Sequence, residues 1–271
     1  MPELPEVETV LRTLEHQIKG EKILDVTVTL PKMLDRRPAE FAKILRGHRF
    51  ETFNRRGKYL LFGMGDDLTL ISHLRMEGKY YISNTSDPLP RHTHVIFQLE
   101  HDRQLRYNDT RQFGTMELVK GPIDYAQFHD LGKEPFDITC TGDWFYQIAH
   151  ARNVPIKSLL LDQSVIAGIG NIYADEICFA CGIRPGVSSR RLSRPQCQAI
   201  VNATRTILSE AIRCGGTTIR SYTSSLGVTG LFQLQCNVHS QKTCAVCGGP
   251  VTTRRIGGRT SYYCPACQKS R

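Results

Sequence analysis

Four cysteines near the C-terminus restrict the fold of this chain more than any other feature. Cys244 and Cys247 form one C-x-x-C, Cys264 and Cys267 form a second, and sixteen residues separate the pairs. Each pair can clip a metal from one tight turn. Gly248, Gly249, Gly257 and Gly258 supply bends for an intervening hairpin that would bring the four thiolates into a tetrahedron. All four positions of such a site are filled by protein, which predicts one structural zinc ion and leaves no open position for a catalytic water. The hairpin carries Arg254, Arg255 and Arg259 and no acid, a composition suited to presenting arginines to phosphates.

The remaining cysteines, Cys140, Cys178, Cys181, Cys197, Cys214 and Cys236, show no second ligand pattern. Cys178 and Cys181 lie in an apolar helical stretch and are expected in a core. The longest apolar runs fall far short of a bilayer span, and the N-terminus is acidic rather than a basic lead into an apolar signal, so a soluble cytosolic protein is expected. The formal net charge is +9, and no Asp or Glu follows Glu210, whereas Arg213, Arg220, Lys242, Arg254, Arg255, Arg259, Lys269 and Arg271 do. Charge alone fits either a solvated basic face or a site for a polyanion.

With 271 residues, the chain can bury the cores of two domains without help from a metal. Pro5 fits a first helical turn, Glu6 and Glu8 suit its positive end, and Val7, Val10, Leu11, Leu14 and Ile18 recur at helical spacing up to Gly20. From Ile23 to Leu118 the pattern changes to short β-type runs, at Ile23 to Leu30, Lys58 to Met64, Leu68 to Leu74, Lys79 to Ile82, His94 to Leu99 and Thr115 to Val119. Turn residues separate them, which predicts an antiparallel sandwich. After about residue 133 the expected elements are helices, at Trp144 to Ala151, Pro155 to Asp162, Ile172 to Gly182 and Ser193 to Cys214. The Ser-, Thr- and Gly-rich stretch from Thr217 to Gly230 reads as a mobile loop.

The opening Met1-Pro2-Glu3-Leu4-Pro5-Glu6-Val7-Glu8 resembles the start of the formamidopyrimidine-DNA glycosylases. So do Arg55-Arg56-Gly57-Lys58, His73-Leu74-Arg75-Met76-Glu77-Gly78, Asp109-Thr110-Arg111-Gln112-Phe113-Gly114 and Gly168-Ile169-Gly170-Asn171-Ile172-Tyr173-Ala174-Asp175-Glu176, together with the cysteine hairpin. The resemblance implies an α+β multidomain chain. Residues 1–133 would form a catalytic β-sandwich with an N-terminal helix, 134–240 a helix-two-turn-helix domain with a lesion-capping loop at about 217–232, and 241–271 a zinc finger. DNA would lie in the cleft between them.

The implied activity is base excision repair of oxidised purines, 8-oxoguanine and formamidopyrimidines, with strand cleavage at the resulting abasic site by β,δ-elimination. Loss of Met1 would leave Pro2 as a nucleophile that forms a Schiff base with the sugar, and Glu3 would serve as general acid and base. Lys58 and Arg259 complete the implied catalytic set by gripping phosphates beside the lesion. Asn171 and Lys157 would add phosphate contacts, Met76, Arg111 and Phe113 would fill the void left by the everted nucleotide, and Glu6, His73 and His92 would join them at the DNA. The implied partner is double-stranded DNA containing oxidised purines or abasic sites, met by a monomer in the bacterial cytoplasm, at the nucleoid, with no membrane involved.

Two departures from the family pattern stand out. Gln233 to His239 lacks the usual tyrosine and the basic residue near it, and Lys133 replaces a common linker proline. The sister enzyme endonuclease VIII, which prefers oxidised pyrimidines, shares Pro2 and Glu3, but it has glycine where Leu4 stands. A noncatalytic zinc-ribbon protein that recognises damaged DNA is the alternative from another class, against which Pro2, Glu3 and Lys58 together count.

Overall fold

The computed structural model describes residues 1–121, 128–217 and 231–270. The first helix, α1 (Leu4–Ile18), turns Leu4, Val7, Val10, Leu11, Leu14 and Ile18 inward, the one-sided stripe that the sequence spacing predicts. Gly20, at φ 83°, takes the chain out of it. Beyond α1 come β1 (Ile23–Val28), α2 (Pro38–Leu45), β2 (Thr52–Arg56), β3 (Tyr59–Gly63), β4 (Leu68–His73), β5 (Lys79–Asn84), β6 (Thr93–Leu99), β7 (Arg103–Asn108) and β8 (Thr115–Lys120). They form two antiparallel four-stranded sheets, ordered β1-β6-β7-β5 and β2-β3-β4-β8. Phe50, Phe53, Phe62 and Phe97 pack together in the core, with ring centroids 5.6–6.3 Å apart. Each such buried side chain contributes about 1.5–3 kcal/mol.

Three elements here escaped the sequence reading. Strand β7 is masked by Arg106, which lies on the face opposite Leu105 and Tyr107 yet is buried under the turn after β5, donating to Gln104 and to the carbonyls of Asn84, Asp87 and Pro88. A buried guanidinium with its donors spent is stable, yet on paper it reads as a solvated charge in a run with only two apolar residues. Strand β2 reads Thr-Phe-Asn-Arg-Arg and lies at a sheet edge, where one apolar residue suffices. The short α2 buries only Phe41 and Leu45.

The helical elements are α3 (Gly142–Ala151), α4 (Ile156–Leu161), α5 (Asn171–Ala180) and α6 (Arg194–Arg213). Helix α6 begins with the expected box: Ser193 Oγ accepts from the Gln196 N–H, and Gln196 Oε1 accepts from the Ser193 N–H at 2.9 Å. Cys178 is buried in α5 as expected, whereas Cys181, at the C-cap of that helix, is only half-buried. The hairpin is β9 (Thr252–Ile256) and β10 (Arg259–Tyr263).

By contacts the chain divides into residues 1–127 with 215–230, and residues 128–214 with 231–271. The cysteine hairpin thus groups with the helices. Ile183 pairs with Lys269, Arg184 and Gly182 exchange backbone hydrogen bonds with Lys269, and Gln268 ties the Cys264 N–H to the Ile183 carbonyl. Most of the loop expected at 217–232 lies outside the described residues. No helix among them is long and apolar enough to cross a membrane.

Lys133, where a proline is usual, donates its backbone N–H to the Val165 carbonyl at 3.0 Å. Proline has no such donor. The lysine side chain also donates to the Thr139 carbonyl at 2.6 Å and lies 4.7 Å from the centre of the Trp144 ring. In this chain the substitution adds fastenings.

Candidate active site and zinc centre

In the β-rich unit the chain start is held by α1 itself. Pro2 and Glu3 are buried, and Glu3 occupies the N-cap. Its backbone N–H donates to Glu6 Oε2 at 2.8 Å, and its carboxylate faces the Glu6 N–H to complete a capping box. The other Glu6 oxygen accepts from the Thr217 N–H at 2.8 Å and from its hydroxyl at 3.1 Å. Glu6 therefore orients Glu3 while anchoring the residue that follows Gly215 and Gly216. Burial pushes the Glu8 carboxyl up, but hydrogen bonds and charge from Arg55 and Arg12 leave it below the usual range. Glu8 is a strut between α1 and β2.

The amine of Met1, one residue ahead of Pro2, is held below its ordinary pKa, chiefly by burial and also by Lys58, against the opposing pull of Glu3 and Glu6. Lys58 is buried and follows Gly57, whose φ of 55° makes the tight turn between β2 and β3. Burial also drives the His73 imidazole down to about 3, helped by Arg75 and Lys58. His73 is thus neutral near pH 7. Its Nδ1 accepts from the Arg75 N–H at 2.9 Å, which puts the proton on Nε2, and its ring meets Tyr59 edge-on at 4.5 Å.

Two loops beside these strands carry the expected void fillers. The first runs from Leu74 to Gly78, closed by a Gly78 N–H bond to the Leu74 carbonyl, with Arg75 at φ 52° and Met76 half-buried. The second follows β7. Arg111 and Phe113 are exposed, and the guanidinium lies 5.1 Å from the centre of the Phe113 ring. The sequence reading quoted Asp109 without giving it a role, yet this buried carboxylate accepts from the N–H groups of Arg111, Phe113 and Gly114 at 2.8–3.0 Å. It shapes the loop. His92 is half-buried at φ 67°, and its carbonyl accepts from the Asp109 N–H.

In the helical unit, Lys157 corrects an expectation. It was expected to face phosphate, but its side chain is fully buried, 2.7 Å from Asp175 Oδ1 and donating to the Thr260 carbonyl at 3.0 Å. Asn171, the first residue of α5, donates to the same carbonyl at 3.1 Å. A lysine and an asparagine thus converge on the residue after Arg259, whose own side chain is exposed on β10. Lys157 supports the arginine from beneath, because Asp175 draws the ammonium inward. Asn171 Oδ1 is buried and has no hydrogen-bond partner among the described residues.

The atypical Gln233 to His239 stretch is also fastened. Glu176, 2% exposed, accepts from the N–H groups of Asn237, Val238 and His239 and from the Asn237 amide at 2.8–3.1 Å. His239 Nδ1 lies 2.8 Å from Asp175 Oδ2. Neither acid was assigned a role from sequence, since Glu176's partners and the His239 partner of Asp175 lie more than 60 positions away. Replacing Glu176→Gln swaps one acceptor oxygen for donors aimed at N–H groups. Urea unfolding is expected to show a loss of about 3 kcal/mol for the helical unit.

The four cysteine sulfurs lie within 4.8 Å of one another, with Cys244 to Cys267 at 3.8 Å and Cys247 to Cys264 at 3.5 Å. Zinc–sulfur bonds of about 2.3 Å in a tetrahedron place sulfurs about 3.8 Å apart, so the cluster fits one structural zinc ion.

Sequence comparison agrees with this geometry from end to end. Family models match residues 1–116 as "Formamidopyrimidine-DNA glycosylase N-terminal domain", 131–223 as "Formamidopyrimidine-DNA glycosylase H2TH domain" and 241–269 as "Zinc finger found in FPG and IleRS". The chain belongs to the formamidopyrimidine-DNA glycosylase family. The formamidopyrimidine-DNA glycosylase of Bacillus licheniformis is 42% identical over 275 residues, covering 99% of this chain and all of that one. A Lactococcus lactis Fpg complex with DNA containing an abasic site matches with TM-score 0.93 and 38% identity, over 98% of this chain and 99% of that one. A second complex of the same enzyme, with N7-benzyl-Fapy-dG DNA, gives 0.91 and 38%, over 99% of this chain and all of that one.

Proposed function

We propose that this glycosylase excises 8-oxoguanine and formamidopyrimidines from duplex DNA and cuts the strand through a Schiff base on Pro2. The observation that carries the reading is the chain start: Pro2 is buried between Met1 and the buried Glu3, with Glu6 bound to the Glu3 N–H, and the Met1 amine just ahead of it is held down by burial and by Lys58. A typical α-amine is unprotonated in about a tenth of molecules at pH 7, and burial enlarges that share. Once Met1 is removed, the Pro2 nitrogen becomes the terminal amine.

Its lone pair attacks C1′ as the glycosidic bond breaks with its electrons leaving on the base, and the proton that the proline nitrogen sheds on bonding balances the one the departing base takes up. Glu3 gives a proton to the ring oxygen as the sugar opens, leaving an iminium between the proline nitrogen and C1′. That iminium acidifies C2′, so proton loss there expels the 3′ phosphate, and a further elimination expels the 5′ phosphate. Lys58, Asn171 and Arg259 hold phosphates, Lys157 braces Arg259, and zinc cross-links the hairpin on which Arg259 sits. Met76, Arg111 and Phe113 occupy the vacated stack, with Glu6, His73 and His92 setting the surroundings. Monomeric action in the bacterial cytoplasm completes the reading.

The test is a cleavage panel of duplexes carrying 8-oxoguanine, ring-opened guanine, thymine glycol or an abasic site. Cutting at both purine lesions and the abasic site, well ahead of thymine glycol, is expected. A protein that shifts these duplexes without nicking them would be a damage binder instead.

A further inference from the structure

Tyr107 lies one position before the end of β7 and is fully buried, its ring 5.0 Å from that of Tyr80. Its hydroxyl has no hydrogen-bond partner among the described residues. Burying a hydroxyl unpaired is unfavourable, and a phenylalanine there would avoid the cost. The oxygen has neighbours of another kind.

A Cβ built on Gly78 would stand 2.2 Å from it, and one built on Gly114 1.7 Å from it. Gly78 ends the loop of Met76, and Gly114 ends the loop of Arg111 and Phe113. Neither glycine has the positive φ that would call for glycine on backbone grounds. Both are needed for space: the phenol oxygen occupies what would be their side-chain volume, and at Gly78 the Leu74 carbonyl crowds the same volume at 2.6 Å. Each loop is also closed within itself, the first by the Gly78 to Leu74 bond and the second by Asp109. The ladders at both ends, Lys79 with Asn108 and His73 with Thr115, set the feet of the two loops side by side, and between those feet the phenol oxygen is what stands against both Gly78 and Gly114.

We propose that the Tyr107 hydroxyl is the spacer that sets the distance between the two loops, and that it is therefore a positioning residue for base eversion and for discrimination of the base left opposite the lesion. The inference rests on the proposed function. Met76 must enter the vacated stack at a depth matched to Arg111 and Phe113, and an error of about 1 Å in such placement can cost about 100-fold in rate. The oxygen acts as a rigid stop pressed by two backbones. It needs no hydrogen bond for that role, which accounts for its lacking one.

The experiment compares wild type, Tyr107→Phe, Gly114→Ala and the double variant on 8-oxoguanine placed opposite cytosine or adenine. A 2-aminopurine beside the lesion reports unstacking before chemistry. Gly114→Ala is expected to lose about 100-fold in excision opposite cytosine, to weaken the fluorescence rise, and to lose much of its preference between opposite bases. Tyr107→Phe added to it should restore part of all three, because the nearest remaining Tyr107 atom, Cζ, stands 2.8 Å from the added Cβ. Tyr107→Phe alone, which adds no bulk, should lower the opposite-base ratio while the thermal midpoint holds or rises. An unchanged ratio in that single variant, or failure of the double variant to recover, overturns the spacer. Should Gly114→Ala not fold, Tyr107→Phe alone decides. Wild type that leaves 8-oxoguanine uncut defeats the functional reading instead, and the unstacking signal then tests the spacer by itself.

Discussion

A chain that keeps Met1 behind an N-terminal tag is expected to bind lesion DNA and to cut none of it. The mechanism asks Pro2 for a free secondary amine, and any residue left before it turns that nitrogen into a tertiary amide with no nucleophilic lone pair. The fold should not notice. Helix α1 is fixed by its apolar face, by the capping box of Glu3 and Glu6, and by the bonds from Glu6 to Thr217, none of which uses the amine. Phosphate contacts are likewise untouched, so affinity should fall only as far as the extra residues crowd the pocket. The processed protein, mixed with 8-oxoguanine duplex and borohydride, should be trapped as a covalent adduct, since reduction turns the iminium into a stable amine. Peptide mapping should place the sugar on Pro2. Lys58 is the obvious rival, being buried with its charge felt by the amine. Trapping on Lys58, or trapping and cleavage that persist in the tagged chain, would falsify the mechanism.

What the sequence made legible were features whose signal is local. The apolar stripe of α1, its acidic first turn, the box at Ser193 and Gln196, and the cysteine spacing each lie within one turn or one hairpin. Residues that support the site from a distance were not legible. Asp109 could be quoted from a motif, but nothing in the string shows three amides folding back onto its carboxylate. Tyr107 reads as an ordinary core aromatic until Gly78 and Gly114 are seen against its oxygen.

Lys157 shows the same limit from the other side. A lysine four positions after Asn153 gives no sign of pointing inward, and the reason lies at Asp175, on the next helix. Once paired there, it serves Arg259 by holding the Thr260 carbonyl. The Gln233 to His239 stretch departs from the family pattern in its side chains. The fold shows where its backbone amides went: Glu176 takes three of them.

Removing one thiolate from the hairpin is the second change with a large expected effect. Cys247 is the most open of the four cysteines, so Cys247→Ser disturbs packing least while breaking the tetrahedron. Zinc binding in small finger modules is worth about 10–16 kcal/mol, and a three-thiolate site gives up a large part of that. The hairpin has little else to hold it. Its apolar cluster is Val238, Cys244 and Cys264, with a few half-buried neighbours, and its other ties include the bonds between 182–184 and 268–269, Arg184 to the Pro265 carbonyl, and Lys157 and Asn171 to the Thr260 carbonyl. As β10 loosens, the Thr260 carbonyl moves away from Lys157 and Asn171, leaving a buried Lys157 with Asp175 alone and setting Arg259 adrift. DNA affinity should therefore fall for lesion and undamaged duplex alike, and the dependence on salt should flatten, because a phosphate contact carries no base information. The sandwich has its own large core and should unfold at an unchanged urea midpoint. Metal content, duplex affinity across a salt series and urea unfolding of the variant supply the three readings. Full affinity in protein shown to lack zinc would mean that the hairpin arginines do not need the metal to find their place.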